Sequence, residues 1–557
     1  MEEHFQVVVV GGGPVGVALM VEMAQRGVAC ALVERGTELQ DIPKGQLLTG
    51  RTVEHFHFWN CLEQLRAARV LPSGHRIGTI TAYGNLLSGY SYHGSVAAAA
   101  APELFFQTGE RLPQYQTEGV LRERLAQLPT ATALYGMTAT EVEQEDAGVR
   151  ITVAPTPRET RRVHSWESAE DEAAPNGEEA RVLYAGYVVG CDGGRSLVRE
   201  SAGIERAGRD YGKTMMLVVF RSAELHERLE ELPAATTYRV LQRRLEGWWH
   251  FFGRVDLGGR FFFHAPVPSD ADRDTVDVRA VMQEATGFPF EASVDQVRFW
   301  EGRIMVASAY RHARIFIAGD AAHQHPPYGA YGLNTGLEDA VNLGWKLAAA
   351  IQGWGGEPLL DSYEAERRPV FSDVADLIAA GIETDREFLE RHQPERDRDD
   401  FERAWSALPE KDSPFRLHRE PTYAGSPVVC GAPEARSGSL VPASAAARAG
   451  EHLSPCALSG GEDVFTRLGA GVTLIALDAD GAAVKAFEDA ARSLRVPLTV
   501  VSDSAADARA AYEARLILVR PDQYVAWAAD AVPDDADAVL ARATGLMAPS
   551  LAAPAGE

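Results

Sequence analysis

No segment of this 557-residue chain limits its fold as tightly as Gly11-Gly12-Gly13-Pro14-Val15-Gly16. A G-x-G-x-x-G hexapeptide is a weak signal alone and gains force from its surroundings. Residues 5–10 are a continuous apolar run, which suits a parallel strand buried on both faces. A helical pattern follows through residue 25. Residues 29–33 then give a second strand ending at Glu34, 23 residues after Gly11. Together they form one βαβ unit. In such a unit Gly11, Gly13 and Gly16, with Pro14 in the turn, let backbone amides approach a pyrophosphate at a helix N-terminus, where the helix dipole favours negative charge. Glu34 is placed to accept hydrogen bonds from a ribose, and Arg35 stands beside it.

The chain carries a formal net charge of −25, which argues against nucleic acid or an anionic membrane surface as a partner. Its five cysteines, at 30, 61, 191, 430 and 456, contain no C-x-x-C pair and no zinc-ligand spacing, so reduced thiols in a cytoplasmic protein and no metal site are expected. The N-terminus has no basic region before its apolar run, and that run is broken by glycines, so neither a signal peptide nor a membrane span is read there.

Along the chain, residues 114–128 predict a helix and 138–153 a hairpin. Residues 155–181 are polar and acidic and read as a solvated loop. Residues 187–189 restore an apolar strand. Residues 215–263 are rich in β-branched and aromatic side chains, and GWWHFFGRVDLGGRFFFHAPV reads as a hairpin whose alternating aromatics give one face able to line a pocket. A strand at 315–318 precedes a helix at 336–352. Residues 472–477, 498–501 and 516–519 are strand-like, with alanine-rich helical stretches between them, and form a small α/β domain.

Two further segments join an acidic residue to tight glycine turns at a strand end: Cys191-Asp192-Gly193-Gly194-Arg195-Ser196, and Gly319-Asp320-Ala321-Ala322-His323 followed by Pro326, Pro327 and GAYGLNTGLEDAVNLGWKLA. On chemistry alone each is a polar turn suited to ribityl or ribose hydroxyls. The three segments, in this order and spacing, resemble the class A flavoprotein aromatic hydroxylases, the family of phenol hydroxylase, para-hydroxybenzoate hydroxylase and polyketide-tailoring hydroxylases. The resemblance covers about residues 5–385.

It implies an α/β fold with three parts. A discontinuous Rossmann-like FAD-binding domain of the glutathione-reductase type would comprise residues 1–70, 103–200 and 303–385. An inserted antiparallel substrate-binding sheet would comprise 71–102 and 201–302. A helical linker, 386–425, would lead to a thioredoxin-like domain, 426–557, whose clearest match is LILVRPDQYVAWA. That domain lacks C-x-x-C and is expected to be structural or a homodimer contact.

By the same resemblance Gly11, Gly13, Gly16 and Glu34 hold the ADP half of FAD, Asp320 binds the ribityl or pyrophosphate region, and Asp192 serves FAD and NAD(P)H. Lys44 sits where the family has a basic residue near the phosphates, and Arg51 opens an R-T-x-E helix start. Gln114 matches a ribityl contact. Gly332, Leu333 and Asn334 aim backbone amides at the flavin's pyrimidine edge. The family's Gly-Gly after the double proline is here Gly329-Ala330.

The implied reaction hydroxylates an electron-rich aromatic substrate with NADH or NADPH and O2, through a flavin C4a-hydroperoxide that must be kept from water. A single fingerprint with strand-helix context means no second Rossmann domain for the nicotinamide. Residues to activate the substrate are His250 and His264 on the aromatic hairpin and Arg221 at a strand end, with His323 and His325 flanking the GD turn. Each histidine competes with the plainer role of a structural imidazole. The absence of W-x-W among nine tryptophans argues against a flavin halogenase. A Baeyer–Villiger oxygenation, or a non-catalytic protein that sequesters flavin or ligand, stay as alternatives.

Overall fold

The computed structural model describes residues 2–72, 78–94, 104–157, 180–232, 235–327, 329–408, 419–431, 435–442 and 444–546. Much of the segment expected to be a solvated loop, 158–179, lies outside the described residues, as do 95–103 and 409–418.

The opening strand, Glu2–Val10, pairs in parallel with Cys30–Glu34 on one side and Arg181–Gly190 on the other. Ala131–Tyr135 and Ile315–Ile317 add parallel strands at the two flanks. Val7, Val8 and Val9 are fully buried, which is why this strand reads as an unbroken apolar run. Helix Pro14–Ala24 covers one face of the sheet and buries every residue from Gly16 to Ala24. The expected hairpin is present as Met137–Gln144 and Val149–Pro155, antiparallel to each other.

A second sheet has eight strands in the order His323–Gln324, Ser293–Ala307, Arg206–Arg221, Arg260–Pro266, Trp249–Arg254, Thr237–Leu241, Thr79–Tyr83 and Ser91–Gly94. Among its described strands only the Thr237–Leu241 and Thr79–Tyr83 pair is parallel. One face packs on helices Ala223–Glu230 and Val278–Thr286 through Met216, Val218, Phe220, Tyr238, Phe252, Phe261 and Phe263. The other meets the long helix Glu357–Arg391 through Met215, Leu241, Trp249, Phe371, Val374 and Ile378.

Two expected boundaries move. Strand Ser293–Ala307 continues past 302, and Met305 and Val306 pair with Gln324 and His323, so residues 303–307 and 323–324 belong to this second sheet. Charged Glu301 and Arg303 hide the strand in the sequence. Helix Glu357–Arg391 overruns 385, so the linker begins later than residue 386.

The C-terminal unit has strands in the order Leu498–Asp503, Val472–Leu477, Leu516–Val519 and Val525–Ala529. Its first neighbours are parallel and the rest antiparallel, with helices Gly481–Leu494, Ala506–Tyr512 and Ala536–Ala543 between and after the strands. All five cysteines are free, and burial pushes the thiols of Cys30 and Cys61 up to about 12. Among the described residues no helix is long and apolar enough to cross a membrane, and no cluster of side chains could hold a metal ion.

Candidate cofactor and active site

The glycine loop has a backbone cause at each end. Gly11 sits at φ +104°, and a Cβ there would lie 2.3 Å from the Cys191 carbonyl oxygen; a Cβ on Gly16 would lie 1.9 Å from the Gly11 carbonyl oxygen. Gly13, by contrast, has no heavy atom within 4 Å of where its Cβ would be, so it fronts open space at the N-terminus of Pro14–Ala24. Pro14 occupies the first turn of that helix. The Glu34 carboxylate accepts from the backbone amides of Gly12 and Gly36, both at 2.6 Å, which fixes the loop over the end of the second strand. A carboxylate at this position is the kind of acceptor that ribose hydroxyls require. Arg35 is exposed at the rim.

Asp320 and Lys44 face the same cleft. Both are open to solvent, yet protein surrounds them closely enough that burial raises the Asp320 carboxyl pKa and lowers that of the Lys44 ammonium. That combination marks side chains lining a deep concave site. Each lies in the other's field, with Glu118 and Arg298 near Lys44, and Arg206 and His323 near Asp320. Gly45 brings the next residues in: a Cβ there would be 3.1 Å from Leu333 Cδ2 and 3.5 Å from Gln114 Oε1.

Helix Tyr331–Ile351 starts beside this loop, with Gly332, Leu333 and Asn334 in its first turn. None of the described side chains caps it. Gly329 and Ala330 are both left-handed, at φ 62° and 60°. The alanine therefore holds a conformation that costs a non-glycine residue about 1–2 kcal/mol, and Pro327 leads into that turn. The Asn334 side chain is fully engaged, accepting from Thr49 N–H and the Thr52 hydroxyl and donating to the Leu47 and Ala330 carbonyls. It fastens the helix start to the loop, leaving its backbone amide for a ligand.

At the CDGG turn, Asp192 Oδ2 accepts from Val198 N–H at 3.2 Å, while Oδ1 is buried without a partner among the described residues. Burial raises the Asp192 pKa. Arg199, one turn on, donates to the Gly194 and Ala321 carbonyls and so ties this turn to the GD turn.

These features fit FAD. An open glycine cradle, an uncapped helix start, an orphaned Asp192 oxygen and a cleft-facing Asp320–Lys44 pair are what a dinucleotide with two phosphates and many hydroxyls requires. Arg122 is an addition that the sequence did not single out: it donates to the Gly12 carbonyl and pairs with Glu118 at 2.9 Å. Burial, with Glu34 adding to it, pushes the Glu118 carboxyl up to about 7. Its pKa in the folded chain therefore exceeds its ordinary 4.5. Its contribution to stability is intact below about pH 4.5 and is lost as pH climbs through about 7. The apoprotein is expected to lose stability over that window, by at most about 1.4 kcal/mol for each tenfold fall in proton concentration. Glu118→Gln should flatten that part of a melting-temperature profile, and an unchanged profile would contradict the assignment.

Three expected site residues are not in the cleft. Arg51 is buried and donates to Glu54 (3.1 Å), Glu338 (3.1 Å), Gln523 (2.8 Å) and the Asp522 carbonyl (2.7 Å), so its guanidinium joins the C-terminal unit to the cofactor domain. His250 lies on the face of the second sheet that packs on helices Ala223–Glu230 and Val278–Thr286: it is opposite Val240 and packs on Phe263, with both ring nitrogens unpartnered among the described residues and burial pushing its pKa down to about 3. It is a core imidazole. Arg221 is exposed at its strand end, near Asp295 at 3.5 Å.

His264 is the histidine on the other face. It is opposite Leu217 and Phe251 and ringed by Trp249, Phe262 and Trp300. Burial pushes its pKa down to about 3, so it is a neutral imidazole. This face also meets Ile42, two residues from Lys44, and Tyr331 at the helix start. His323 is structural: its ring pairs with Asp339 Oδ2 at 2.7 Å, the same oxygen that takes the Gly319 amide, and Arg367 holds Asp339 Oδ1 at 2.7 Å. His325 bonds to the Pro326 carbonyl, and burial pushes its pKa down to about 4.

Behind the cleft, helix Tyr331–Ile351 carries buried Glu338, Asp339, Asn342, Trp345 and Lys346. Glu366 receives Arg520 through both oxygens (2.6 and 2.8 Å), Lys346 (2.6 Å), Asn342 (2.7 Å) and the Ser426 hydroxyl (2.6 Å). Asp522 takes Arg520 and the Trp345 indole N–H. The RPDQY segment, residues 520–524, is thus a lock between the C-terminal unit and the helices that carry the flavin cleft.

The sequence matches the family described as "FAD binding domain" over residues 4–377 and that described as "Aromatic-ring hydroxylase, C-terminal" over residues 446–546. It is 33% identical to rifampicin monooxygenase of Streptomyces venezuelae over 391 residues, covering 68% of this chain and 71% of the relative. It is 30% identical to 4-methyl-5-nitrocatechol 5-monooxygenase of a Burkholderia species over 561 residues, covering 96% of each. The fold aligns with aklavinone-11 hydroxylase, solved with FAD and aklavinone, at a TM-score of 0.76 and 26% identity, covering 98% of this chain and 100% of that one. The cleft geometry and these matches agree, and the chain belongs to the FAD-dependent aromatic-ring hydroxylases, the class A flavoprotein monooxygenases.

Proposed function

We propose that this monooxygenase hydroxylates an electron-rich aromatic substrate of polyketide type, with NADH or NADPH and O2 as co-substrates. The observation that carries this reading is the sheet face bearing Trp249, Phe251, Phe262, His264 and Trp300, which is turned toward Ile42 and Tyr331 beside the cofactor cleft. Aromatic walls of this kind bury a planar ring and exclude water from the reacting atoms.

Bound FAD would supply hydride acceptance and oxygen activation. The glycine loop and Glu34 would hold its ADP half, with Lys44 and Asp320 along the phosphates and ribityl chain. The amides of Gly332, Leu333 and Asn334 would stabilise negative charge at the pyrimidine edge. His264, neutral and with Nδ1 unpartnered among the described residues, would exchange a hydrogen bond with a ring hydroxyl and orient it. Asp192, with one oxygen unpartnered, would serve the nicotinamide-dependent step; Asp192→Ala is expected to slow anaerobic flavin reduction at least about tenfold, a loss of about 1.4 kcal/mol, while equal reduction rates would refute that role. The strand and helix order of the C-terminal unit supports a thioredoxin-like reading without redox chemistry, since C-x-x-C is absent.

The test is NAD(P)H consumption by the purified holoenzyme against hydroxylated mono- and polycyclic aromatics, with H2O2 recorded in parallel. A compound that speeds consumption without a matching rise in peroxide supports the reading. Uniform consumption that ends entirely in H2O2 contradicts it.

A further inference from the structure

Strand Ser293–Ala307 places three polar side chains on the pocket face, two residues apart: Gln296, Arg298 and Trp300. They stand opposite Val219, Leu217 and Met215, the same residues whose other neighbours are Phe262, His264 and Pro266. Opposed residues of neighbouring strands share a face, so Gln296, Arg298, Trp300 and His264 share the face that meets Ile42 and Tyr331 beside the cleft. In each, a buried polar atom has no partner among the described residues: Gln296 Oε1, Arg298 Nε, Trp300 Nε1 and His264 Nδ1.

Leaving a buried polar group unpaired costs about 1–3 kcal/mol, so four on one pocket face call for a ligand. Arg298 is the sharpest case. Arg239 on the same face pairs with Asp385, and Arg260 pairs with Asp41. No salt bridge to Arg298 is formed by a carboxylate among the described residues, and Arg298 and Lys44 act on each other as like charges. It therefore adds positive field where the pocket meets the cofactor cleft.

We infer that Arg298 is the anion-binding residue of the substrate pocket, and that the substrate is a polycyclic aromatic bearing a carboxylate or ionised phenol beside a second oxygen function. This deepens the hydroxylase reading and rests on it. Arg298 takes the anionic oxygen, Trp300 donates its indole N–H to a neighbouring acceptor, and Gln296 accepts from a substrate hydroxyl. The row from Gln296 to Trp300 spans about 13 Å at strand rise, and Arg298 and His264 stand about 10 Å apart across two strand spacings. That frame suits fused rings better than a single ring. An anion gripped by a guanidinium at the pocket edge fixes which ring carbon is presented to the flavin.

The test is a titration of the holoenzyme with hydroxynaphthoate, its methyl ester and naphthol, following the absorbance of the bound flavin. Arg298→Gln is expected to weaken hydroxynaphthoate binding at least about tenfold, equivalent to about 1.4 kcal/mol, while changing the methyl ester and naphthol less than about twofold. Arg298→Lys should recover part of the loss, since it restores the charge without the planar fork. Unchanged flavin content and melting temperature show that the variants are folded.

Equal hydroxynaphthoate affinity in wild type and Arg298→Gln overturns the assignment. So does the absence of a saturable flavin response to hydroxynaphthoate in the wild type. If aromatics still speed NAD(P)H oxidation in that event, the hydroxylase reading stands and only the anion site falls. If no aromatic perturbs the flavin or speeds oxidation, both fall.

Discussion

Asp320→Ala is expected to purify with little FAD. Asp320 follows Gly319, whose backbone amide is pinned to Asp339, so its position is set by the core beneath rather than by the cofactor. Its own carboxylate stays open to the cleft, in the field of Lys44 and Arg206. Hydrogen bonds to a charged acceptor are worth about 1.5–3 kcal/mol, so losing them weakens FAD binding roughly tenfold to a hundredfold or more. The fold itself should survive. Burial disfavours the Asp320 charge, so its removal relieves the apoprotein. Dilution and gel filtration of the variant, with flavin absorbance against protein, give the answer. Full occupancy would contradict the placement of Asp320 on the cofactor.

Glu366→Ala is expected to be the most destabilising single change outside the cleft. Glu366 is fully buried beneath Arg520 and Lys346. Burial alone raises its pKa, but the two cations and their hydrogen bonds overcome that and hold it well below the usual carboxylate range. Burial conversely lowers Lys346 to about 8, with Glu366 opposing. Removing the carboxylate leaves two buried cations: Arg520 keeps its ion pair with Asp522, while Lys346 loses its ion-pair partner and keeps the field of Asp522. Breaking such a pair costs about 3–5 kcal/mol. The damage falls on the contact between the RPDQY segment and the helices behind the flavin. Denaturant unfolding of the holoprotein is the measurement, and a stability within about 1 kcal/mol of wild type, the range of an exposed pair, would contradict the lock.

The cofactor half of the site was legible because its residues are chosen for backbone reasons. Gly11 and Gly16 have no room for a Cβ, and Glu34 ends a strand whose burial dictates its composition. The causes at Gly16 and Glu34 act within a few dozen residues, and the spacing of the motif reports them; Gly11 also meets the distant Cys191 carbonyl, which only the paired strands bring there. Arg51 shows where this stops. Its helix start looks like a cofactor motif, but its partners Asp522 and Gln523 lie in another domain. The same holds for Glu338, Asp339, Asn342 and Lys346. In the sequence they read as the polar side of an amphipathic helix, and the C-terminal unit and Glu357–Arg391 turn that side into a buried ion network.

The histidines follow the same logic. Alternation along the aromatic hairpin separates His250 from Phe251, but only the pairing of Phe251 with His264 shows that His264 shares the pocket face and His250 does not. The second half of strand Ser293–Ala307 escapes periodicity because its exposed positions carry charge. The pocket row, in the first half of that strand, shows which face it occupies only once the register with Leu217 is known. A strand period of two specifies two faces, and packing decides which is inward.

The most direct test of the central claim is product analysis under isotopically heavy dioxygen, with NAD(P)H and the aromatic that most accelerates its oxidation. The expected result is a hydroxylated product that carries one heavy oxygen atom, formed in proportion to nicotinamide consumed. Heavy oxygen recovered only in H2O2, with every aromatic returned unchanged, would contradict it.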